Sequence, residues 1–437
     1  MRRFISTKLA DWASSSRRKP LLVRGARQVG KTYSINELGR SAFQNTVVID
    51  LERNRAWHRV FERDLDARRI VAELEVVASA KIEAKKTLLF IDEIQACPHA
   101  IMALRYFYEE MPELHVVAAG SLLEFAFSEI SIPVGRIQYL EMRPLTFAEY
   151  LWAIGNDPGA EAILSVPRAL PEATHSHLLE ELKRYCFIGG MPESVLAYSS
   201  SKSIQEAFSV QKELCEAYRQ DFSKYAPRSD PRCLDEVLMA VAQNVGHQVK
   251  YAKLVESFSG PTIKAAFDLL CTARVIKRVP SAKPTGLPLG RTASPKRFKA
   301  ILVDVGLWQH LCGMQASTEY AKGELLNIYR GAMAEQLVGQ ELTAAQEGEL
   351  YYWARDARNS SAELDYLTVV GGEIHGVEVK SGAAGRLRSL HMMQQEHPQT
   401  GDGFVFSMAP YAEVPEQKLK FIPLYFAYSA TRARSPE

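Results

Sequence analysis

Residues 25–32 carry the strongest chemical signal in the chain. They read Gly-Ala-Arg-Gln-Val-Gly-Lys-Thr, follow a short apolar run and precede a predicted helix. The two glycines let the backbone wrap around an anion, and the helix start adds the positive end of its dipole. Lys31 would reach the β- and γ-phosphates of ATP, and the Thr32 hydroxyl would hold Mg²⁺. The segment predicts a nucleotide-binding loop made of Gly25, Ala26, Arg27, Gln28, Val29, Gly30, Lys31, Thr32 and Tyr33.

A second group of candidate residues follows the apolar run at 88–91, which ends in Asp92 and Glu93. Four apolar residues before two acids predict a strand that is buried on both faces and presents carboxylates at its end. Asp92 would bind Mg²⁺ through water, and Glu93 would act as the general base on the attacking water. An acidic pair also marks the solvated end of many core strands, but its place downstream of the loop favours ATP hydrolysis.

Two further polar residues lie at the ends of later predicted strands. Ser121 follows the apolar run at 115–119, where it would sense the γ-phosphate or water, cap a helix, or do both. Arg136 precedes the predicted strand at 137–140. It would act either as an arginine finger toward a neighbouring subunit or as a surface ion-pairing residue. The first role requires a homo-oligomer.

Four motifs together resemble the prokaryotic AAA-type ATPases of the AAA+ superfamily. They are the loop at 25–32, Ile-Asp-Glu-Ile-Gln at 91–95, Ala-Gly-Ser at 119–121, and Gly-Arg…Pro-Leu-Thr-Phe-Ala-Glu-Tyr at 135–150. The resemblance implies a P-loop ATPase of the α/β class, with a five-stranded parallel sheet in which the acid strand lies next to the phosphate-loop strand. It also implies a C-terminal domain of long-unknown function. Between these motifs, residues 46–51 predict a strand and residues 55–84 a long charged helix.

The middle of the chain predicts helices and then a hairpin. Residues 147–226 have helical patterns, broken at 188–193 by Gly-Gly-Met-Pro, which marks either a turn or a close approach to nucleotide. Such helices fit the lid of AAA-type proteins. After a linker at 227–231, three helical patterns (232–245, 250–257 and 261–274) precede two strands at 275–279 and 297–303. This order predicts a winged helix.

The hairpin segment carries a local excess of positive charge. No acid falls between Arg274 and Lys299, whereas six bases do: Lys277, Arg278, Lys283, Arg291, Lys296 and Arg297. This clustering predicts contacts with DNA or RNA phosphates. A solvated loop and a winged helix that docks a protein partner are the alternatives. The third helix carries only Lys264 and Arg274 as bases, which argues against strong base readout.

The C-terminal segment combines acids and a lysine in a suggestive order. Glu335 lies beside the apolar stripe of a predicted helix, Asp365 lies on a strand at 362–370, and Glu378 and Lys380 share one face of the strand at 373–380. The order resembles the PD-(D/E)XK nuclease superfamily. That resemblance implies Asp365 and Glu378 as Mg²⁺ ligands, Glu335 as a supporting acid at the metal and Lys380 as the catalytic cation. Phosphate contacts would come from Arg386, Arg388 or Gln394.

Composition limits the remaining choices. The chain has 437 residues with 47% hydrophobic and 24% charged residues, a net charge of +2 and six cysteines without Cys-x-x-Cys spacing. No apolar run is long enough to span a membrane, and no signal segment is evident, which predicts a cytoplasmic protein with reduced thiols. We expect an ATPase core (1–145), a helical lid (146–228), a winged helix (229–320) and an α/β nuclease-like domain (321–437).

These expectations combine into two hypotheses for function. In the first, an ATP-hydrolysing protein couples its nucleotide state to a winged helix and a Mg²⁺-dependent nuclease that acts on DNA. In the second, the ATPase is a switch, and an inactive nuclease-like domain binds nucleic acid or a protein partner.

Overall fold

The structure is a computed structural model that describes residues 1–121, 123, 135–222, 229–313, 330–346, 348–355, 362–380 and 387–432. The chain forms two compact units. The N-terminal unit comprises residues 2–143 with 272–274. The C-terminal unit comprises residues 144–271 and 275–437, with Met1. The predicted linker positions 227 and 228, as well as Arg386, lie outside the described residues.

The N-terminal unit contains a five-stranded parallel sheet, as the family resemblance implied. Its strands run in the order β2–β3–β4–β1–β5. Their bounds are β1 Leu21–Arg24, β2 Asn45–Asp50, β3 Thr87–Asp92, β4 His115–Gly120 and β5 Gln138–Glu141.

The prediction that the acid strand lies next to the phosphate-loop strand is wrong. The acid strand β3 does not lie beside β1, because β4 is between them: Val117 of β4 pairs with Leu21 on one side and with Phe90 on the other. Strands β3 and β4 are both buried at all six positions. Their apolar patterns are therefore alike, and the sequence does not reveal which of them is adjacent to β1.

Helices cover this sheet, and one of the predicted helices is interrupted. They are α1 Phe4–Ser14, α2 Lys31–Ala42, α3 His58–Glu62, α4 Ala67–Ala78 and α5 Pro98–Glu110. The single long helix expected over 55–84 is wrong, because Asp66 starts a new helix by accepting a hydrogen bond from the Arg69 N–H at 2.7 Å. The helix then ends at Ser79, whose φ of 50° is left-handed. The core between sheet and helices includes Phe61, Ile91 and Phe107.

The C-terminal unit begins with the helices that the sequence predicted. They are α6 Phe147–Ala153, α7 Asp157–Leu164, α8 Glu172–Ile188, α9 Pro192–Ser201 and α10 Ile204–Asp221. The Gly-Gly break falls between α8 and α9, where the Gly190 N–H donates to the buried Asp304 carboxylate at 2.5 Å. The break is thus a turn that packs on Asp304.

Three helices and a hairpin follow. The helices are α11 Pro231–Gln243, α12 Tyr251–Leu254 and α13 Gly260–Thr272. The antiparallel hairpin consists of β6 Ile276–Pro280 and β7 Phe298–Leu302, and helix α14 Val305–Leu311 comes next. All five residues of β7 are buried. The elements match the predicted order, and their assignment to a winged helix stays a prediction.

The last part of the unit is a six-stranded mixed sheet in the order β12–β13–β11–β10–β9–β8. Its elements are α15 Arg330–Ala345, β8 Tyr351–Ala354, β9 Glu363–Val370, β10 Glu373–Val379, α16 Arg388–Glu396, β11 Gly403–Ser407, β12 Ala412–Val414 and β13 Leu419–Pro423. The predicted β9–β10 hairpin is present and turns at Gly371-Gly372, with both glycines at positive φ. Among the described helices, none is both long and apolar enough to cross a membrane.

Candidate functional site

The loop between β1 and α2 has the geometry of an anion cradle. Gly30 has a φ of 95°, which favours glycine, and it directly precedes the start of α2. Gly25 allows close backbone packing, because a Cβ there would lie 2.1 Å from the carbonyl oxygen of Met142. Ala26 and Val29 are buried and anchor the loop, whereas Gln28 and Tyr33 are exposed. The N-terminal N–H groups of α2 are therefore held at one end of the sheet.

Lys31 lies in this loop with its charge turned inward. Its Nζ donates to the carbonyl oxygens of Gly25 at 3.0 Å and Ala26 at 2.8 Å. Burial lowers the pKa of Lys31 to about 8, although the nearby acids Glu93 and Asp92 oppose that shift. An incoming anion would stabilise the charged form and replace the two carbonyl contacts.

Thr32 and Asp92 are brought together from two elements. The Thr32 hydroxyl donates to Asp92 Oδ2 at 2.8 Å, and Asp92 Oδ1 accepts the Glu93 N–H at 3.0 Å. Burial raises the pKa of Asp92. A hydroxyl and a carboxylate side by side are the hard oxygen ligands that Mg²⁺ prefers, so this pair fits the predicted metal.

Glu93 follows Asp92 with a left-handed φ of 48°. A short turn at Ile94–Ala96 then brings Gln95 back onto it, and the Gln95 Nε2 donates to Glu93 Oε2 at 2.6 Å. Gln95 is a partner of the predicted general base that the sequence reasoning missed. The motif at 91–95 contained it, but no pattern showed that its amide would fold back.

Ser121 and Arg136 occupy different surroundings. Ser121 is buried at the end of β4, which lies beside the acid strand β3. Arg136 is half-exposed and its Nε pairs with Glu109 Oε1 at 2.9 Å. The ion-pair alternative is therefore present within this chain, and an arginine-finger role would require that pair to separate. Pro133 and Val134, next to Arg136 in the sequence, lie outside the described residues.

Comparison with family models decides the class of this unit. Residues 17–151 match the model of a family described as an AAA domain, a span that contains β1 to β5 and the loop. This region is an AAA-type P-loop ATPase domain. The prediction made from the motifs is thereby confirmed for this part of the chain. The models that match residues 179–318 and 330–426 are both described as domains of unknown function, DUF8612 and DUF4143.

Several solved structures are similar at low identity. The Walker-type ATPase PABY2304 of Pyrococcus abyssi is 14% identical over 71% of this chain and 95% of its own, with a TM-score of 0.45. The Aeropyrum pernix ORC1 protein in complex with DNA is 12% identical over 71% and 90%, with a TM-score of 0.28. The Thermotoga maritima RuvB Holliday junction branch migration motor is 16% identical over 63% and 89%, with a TM-score of 0.29. No curated protein matches the chain.

The C-terminal unit holds a second charged cluster, centred on Lys299 of β7. Only 2% of the Lys299 side chain is exposed. Its Nζ lies 2.9 Å from Glu363 Oε1, 3.0 Å from Glu335 Oε1 and 3.6 Å from Asp365 Oδ1. Burial lowers the pKa of Lys299, but these carboxylates outweigh burial and raise it above its ordinary value. Burial and the neighbouring Asp365 raise the pKa of Glu335 to about 8.

Two of the predicted nuclease residues, Glu335 and Asp365, contact this lysine, and the other two, Glu378 and Lys380, pair with each other on β10 and just after it. Asp365 Oδ2 accepts the Val379 N–H at 2.7 Å, which ties β9 to β10 near Glu378. Glu378 Oε1 pairs with Lys380, while Glu378 Oε2 is buried and has no hydrogen-bond partner among the described residues. Burial, and next the charge of Asp365, raises the pKa of Glu378 to about 7.

The predicted metal ligands stay a prediction, and the structure adds an internal cation to two of them. In the described parts of the chain, no three His, Cys, Asp or Glu side chains are grouped so that they could hold a metal ion. Lys299 lies among Glu335, Glu363 and Asp365 instead. Sequence reasoning missed this because Lys299 served only as the end of the basic hairpin segment, and Glu363 was not among the candidate acids. Every position of β7 is buried, so the pattern of this strand does not indicate which acids lie opposite Lys299.

Part of the hairpin charge is used within the chain. Lys277 pairs with Glu349 at 3.2 Å. Arg278 donates to Asp268 at 2.5 Å and stacks on the ring of Phe298. Four bases in the connection between the strands are exposed: Lys283, Arg291, Lys296 and Arg297. On α16, Gln394 donates to the carbonyl oxygen of Lys418 at 3.0 Å.

Proposed function

We propose that this protein hydrolyses ATP and uses the nucleotide state to control binding of DNA by its C-terminal unit. The observation that carries the catalytic part is the acid pair at the end of β3. Asp92 is held beside Thr32, and the next residue, Glu93, is held by Gln95. The negative charges of Glu93 and Asp92 both act on the Lys31 ammonium group, so the loop lysine and the two acids share one site.

The role of each group follows from its position. The loop N–H groups and Lys31 would bind the phosphates, and Thr32 with Asp92 would hold Mg²⁺, which supplies charge neutralisation at the phosphates when bound. Glu93 would accept a proton from the attacking water. Ser121, at the end of the strand adjacent to β3, would orient that water or the γ-phosphate.

The test separates binding from turnover. Lys31→Ala should abolish the binding of fluorescent ATP analogues, because it removes the ammonium group that would contact the phosphates. Glu93→Gln keeps the size of the side chain and should retain ATP binding while losing about 100-fold or more in kcat. Turnover at the wild-type rate in Glu93→Gln would refute its assignment as general base.

DNA binding is proposed from the exposed bases of the 283–297 connection. Four bases lie there without an acid between them, which gives a positive surface suited to phosphate contacts. We expect the affinity for duplex DNA, measured by fluorescence anisotropy, to fall steeply with salt. Lys283→Ala and Lys296→Ala should each make the slope of log affinity against log salt concentration shallower by about 1. Lys202→Ala, an exposed lysine after α9 and outside the three helices and the hairpin, is the matched control, and an equal effect there would contradict the assignment.

For the α15–β10 region, the structure favours recognition over cleavage. Lys380, the predicted catalytic cation, is paired with Glu378, and a second ammonium group lies among the other acids. We therefore expect no Mg²⁺- or Mn²⁺-dependent cleavage of branched, single-stranded or duplex DNA, with or without ATP. Cleavage by the wild type that is lost in Lys380→Ala would instead establish the nuclease hypothesis.

A further inference from the structure

The acids of the C-terminal cluster come from two elements that meet at β7. Glu335 projects from α15, and Glu363 and Asp365 lie on β9, with their side chains on the same face of that strand. Lys299 enters from the hairpin, 36 positions before Glu335 in the chain. A metal ion held by these carboxylates would need oxygen atoms about 2.0–2.6 Å away. The Lys299 Nζ already lies within 3.6 Å of one oxygen from each of them.

The position of β7 is fixed by hydrogen bonds as well as by charge. Gln336, next to Glu335 on α15, accepts the Leu302 N–H and donates to the Leu302 carbonyl oxygen, each at 2.9 Å. Farther along the same helix, Gln340 accepts the Val305 N–H at 2.8 Å. All of these groups are buried. Separating α15 from β7 would break these buried hydrogen bonds, which is unfavourable. The backbone of β7, and with it Lys299, is therefore held in place.

The surroundings of the cluster leave little space for an additional cation. The backbone of Gly246 packs so closely on Glu335 that a Cβ at Gly246 would lie 2.7 Å from Glu335 Oε2. On another side, the Lys299 Nζ lies 5.3 Å from the centre of the Tyr352 ring, and the Tyr366 hydroxyl donates to the Glu335 carbonyl oxygen at 2.8 Å. A divalent ion among these carboxylates would therefore be almost in contact with an ammonium group of the same sign.

From this geometry we infer that Lys299 is the resident cation of the acidic cluster, because it contacts Glu335 and Asp365, two of the acids that the nuclease resemblance assigns to Mg²⁺. Its ammonium group balances the buried Glu335 and the partly buried Glu363 and Asp365, and a buried carboxylate without a partner is strongly unfavourable. The cluster is then a fixed joint between the hairpin and the C-terminal sheet, and it does not take up divalent metal. This inference does not depend on ATP hydrolysis.

Mn²⁺ binding to the full chain without nucleotide tests the inference directly. Electron paramagnetic resonance reports free Mn²⁺, and an Asp92→Asn background removes a metal ligand proposed for the ATPase domain. In that background the protein should bind no Mn²⁺ that depends on Asp365. Adding Lys299→Met should create one new Mn²⁺ site, since the carboxylates lose their internal cation. Adding Lys277→Met, a neighbouring lysine paired with the exposed side chain of Glu349, should create none.

Two results would overturn the inference. The first is Mn²⁺ bound in the Asp92→Asn background and lost when Asp365→Asn is added, which would show that the metal and Lys299 share the cluster. The second is a folded Lys299→Met variant without a new site, since the carboxylates would then have no affinity for a cation in the absence of the lysine. If Lys299→Met does not fold, Lys299→Met with Glu363→Gln removes one charge of each sign. This double variant keeps Glu335, Asp365 and Glu378, and its Mn²⁺ binding is measured in the same way.

Discussion

The hydrogen bond between Gln95 and Glu93 yields a quantitative prediction about turnover. The Gln95 Nε2 lies 2.6 Å from Glu93 Oε2, and Glu93 itself has a left-handed backbone conformation. A carboxylate on such a backbone has no helix or strand to orient it. We therefore predict that Gln95 is a positioning residue, which keeps the Glu93 carboxylate directed at the attacking water.

The size of the effect follows from the type of bond. A hydrogen bond to a charged group contributes about 1.5–3 kcal/mol. If this free energy orients the base in the transition state, Gln95→Ala should lower kcat roughly 10- to 150-fold. KM for ATP should not change, because the Gln95 amide donates to Glu93 and not to the loop or Lys31.

The same substitution should not destabilise the fold. The Gln95 Oε1 is buried and has no hydrogen-bond partner among the described residues. An unsatisfied buried acceptor costs about 1–3 kcal/mol, so its removal offsets the loss of the amide contact. A loss of activity combined with an unchanged melting temperature is therefore expected, whereas a purely structural role would lower both.

Steady-state phosphate release gives kcat and KM, and thermal melting gives stability. Gln44→Ala is the matched control, since Gln44 is an exposed glutamine of the same unit. Gln95→Glu would place a second negative charge beside Glu93 and should reduce kcat at least as much as alanine does. The reasoning fails if kcat in Gln95→Ala equals that of the wild type, or if KM rises in proportion to the fall in kcat.

Three further predictions concern other described residues. Glu341 is fully buried, and burial raises its pKa to about 8, so its contribution to stability is present below its unfolded value of 4.5 and is lost as the pH rises through 8. The free energy of unfolding should therefore fall less between pH 5 and pH 9 in Glu341→Gln than in the wild type. The difference between the two falls should be at most about 5 kcal/mol, and equal falls would contradict this. Thr32→Val removes the hydroxyl that donates to Asp92 and should raise the Mg²⁺ concentration needed for half-maximal ATPase activity, while Thr32→Ser should not. Arg136→Ala should lower ATPase activity only at protein concentrations where sedimentation shows an oligomer, and an equal loss in a monomer would mean that the pair with Glu109 matters within one chain.

The sequence by itself determined the nucleotide site to a large extent. The loop, Lys31 and Thr32 are consecutive, and Asp92 and Glu93 end a strand that is recognisable from its apolar run. Local chemistry specifies such a site, because glycine conformations, a helix start and a strand end are each fixed by a few neighbouring residues. The AAA-type class could be predicted for the same reason.

Only the tertiary structure decided which strand lies beside β1 and which groups surround Lys299. Strands β3 and β4 are equally buried, so their order in the sheet depends on how the connecting helices pack. A lysine in a basic stretch suggests a surface that meets phosphates, and nothing local indicates that Glu335, Glu363 and Asp365 will face it. That pairing is non-local, because long-range packing brings the charge of one element to the acids of another. The same fact turns a nuclease-like pattern of acids into a cluster already occupied by the chain's own cation.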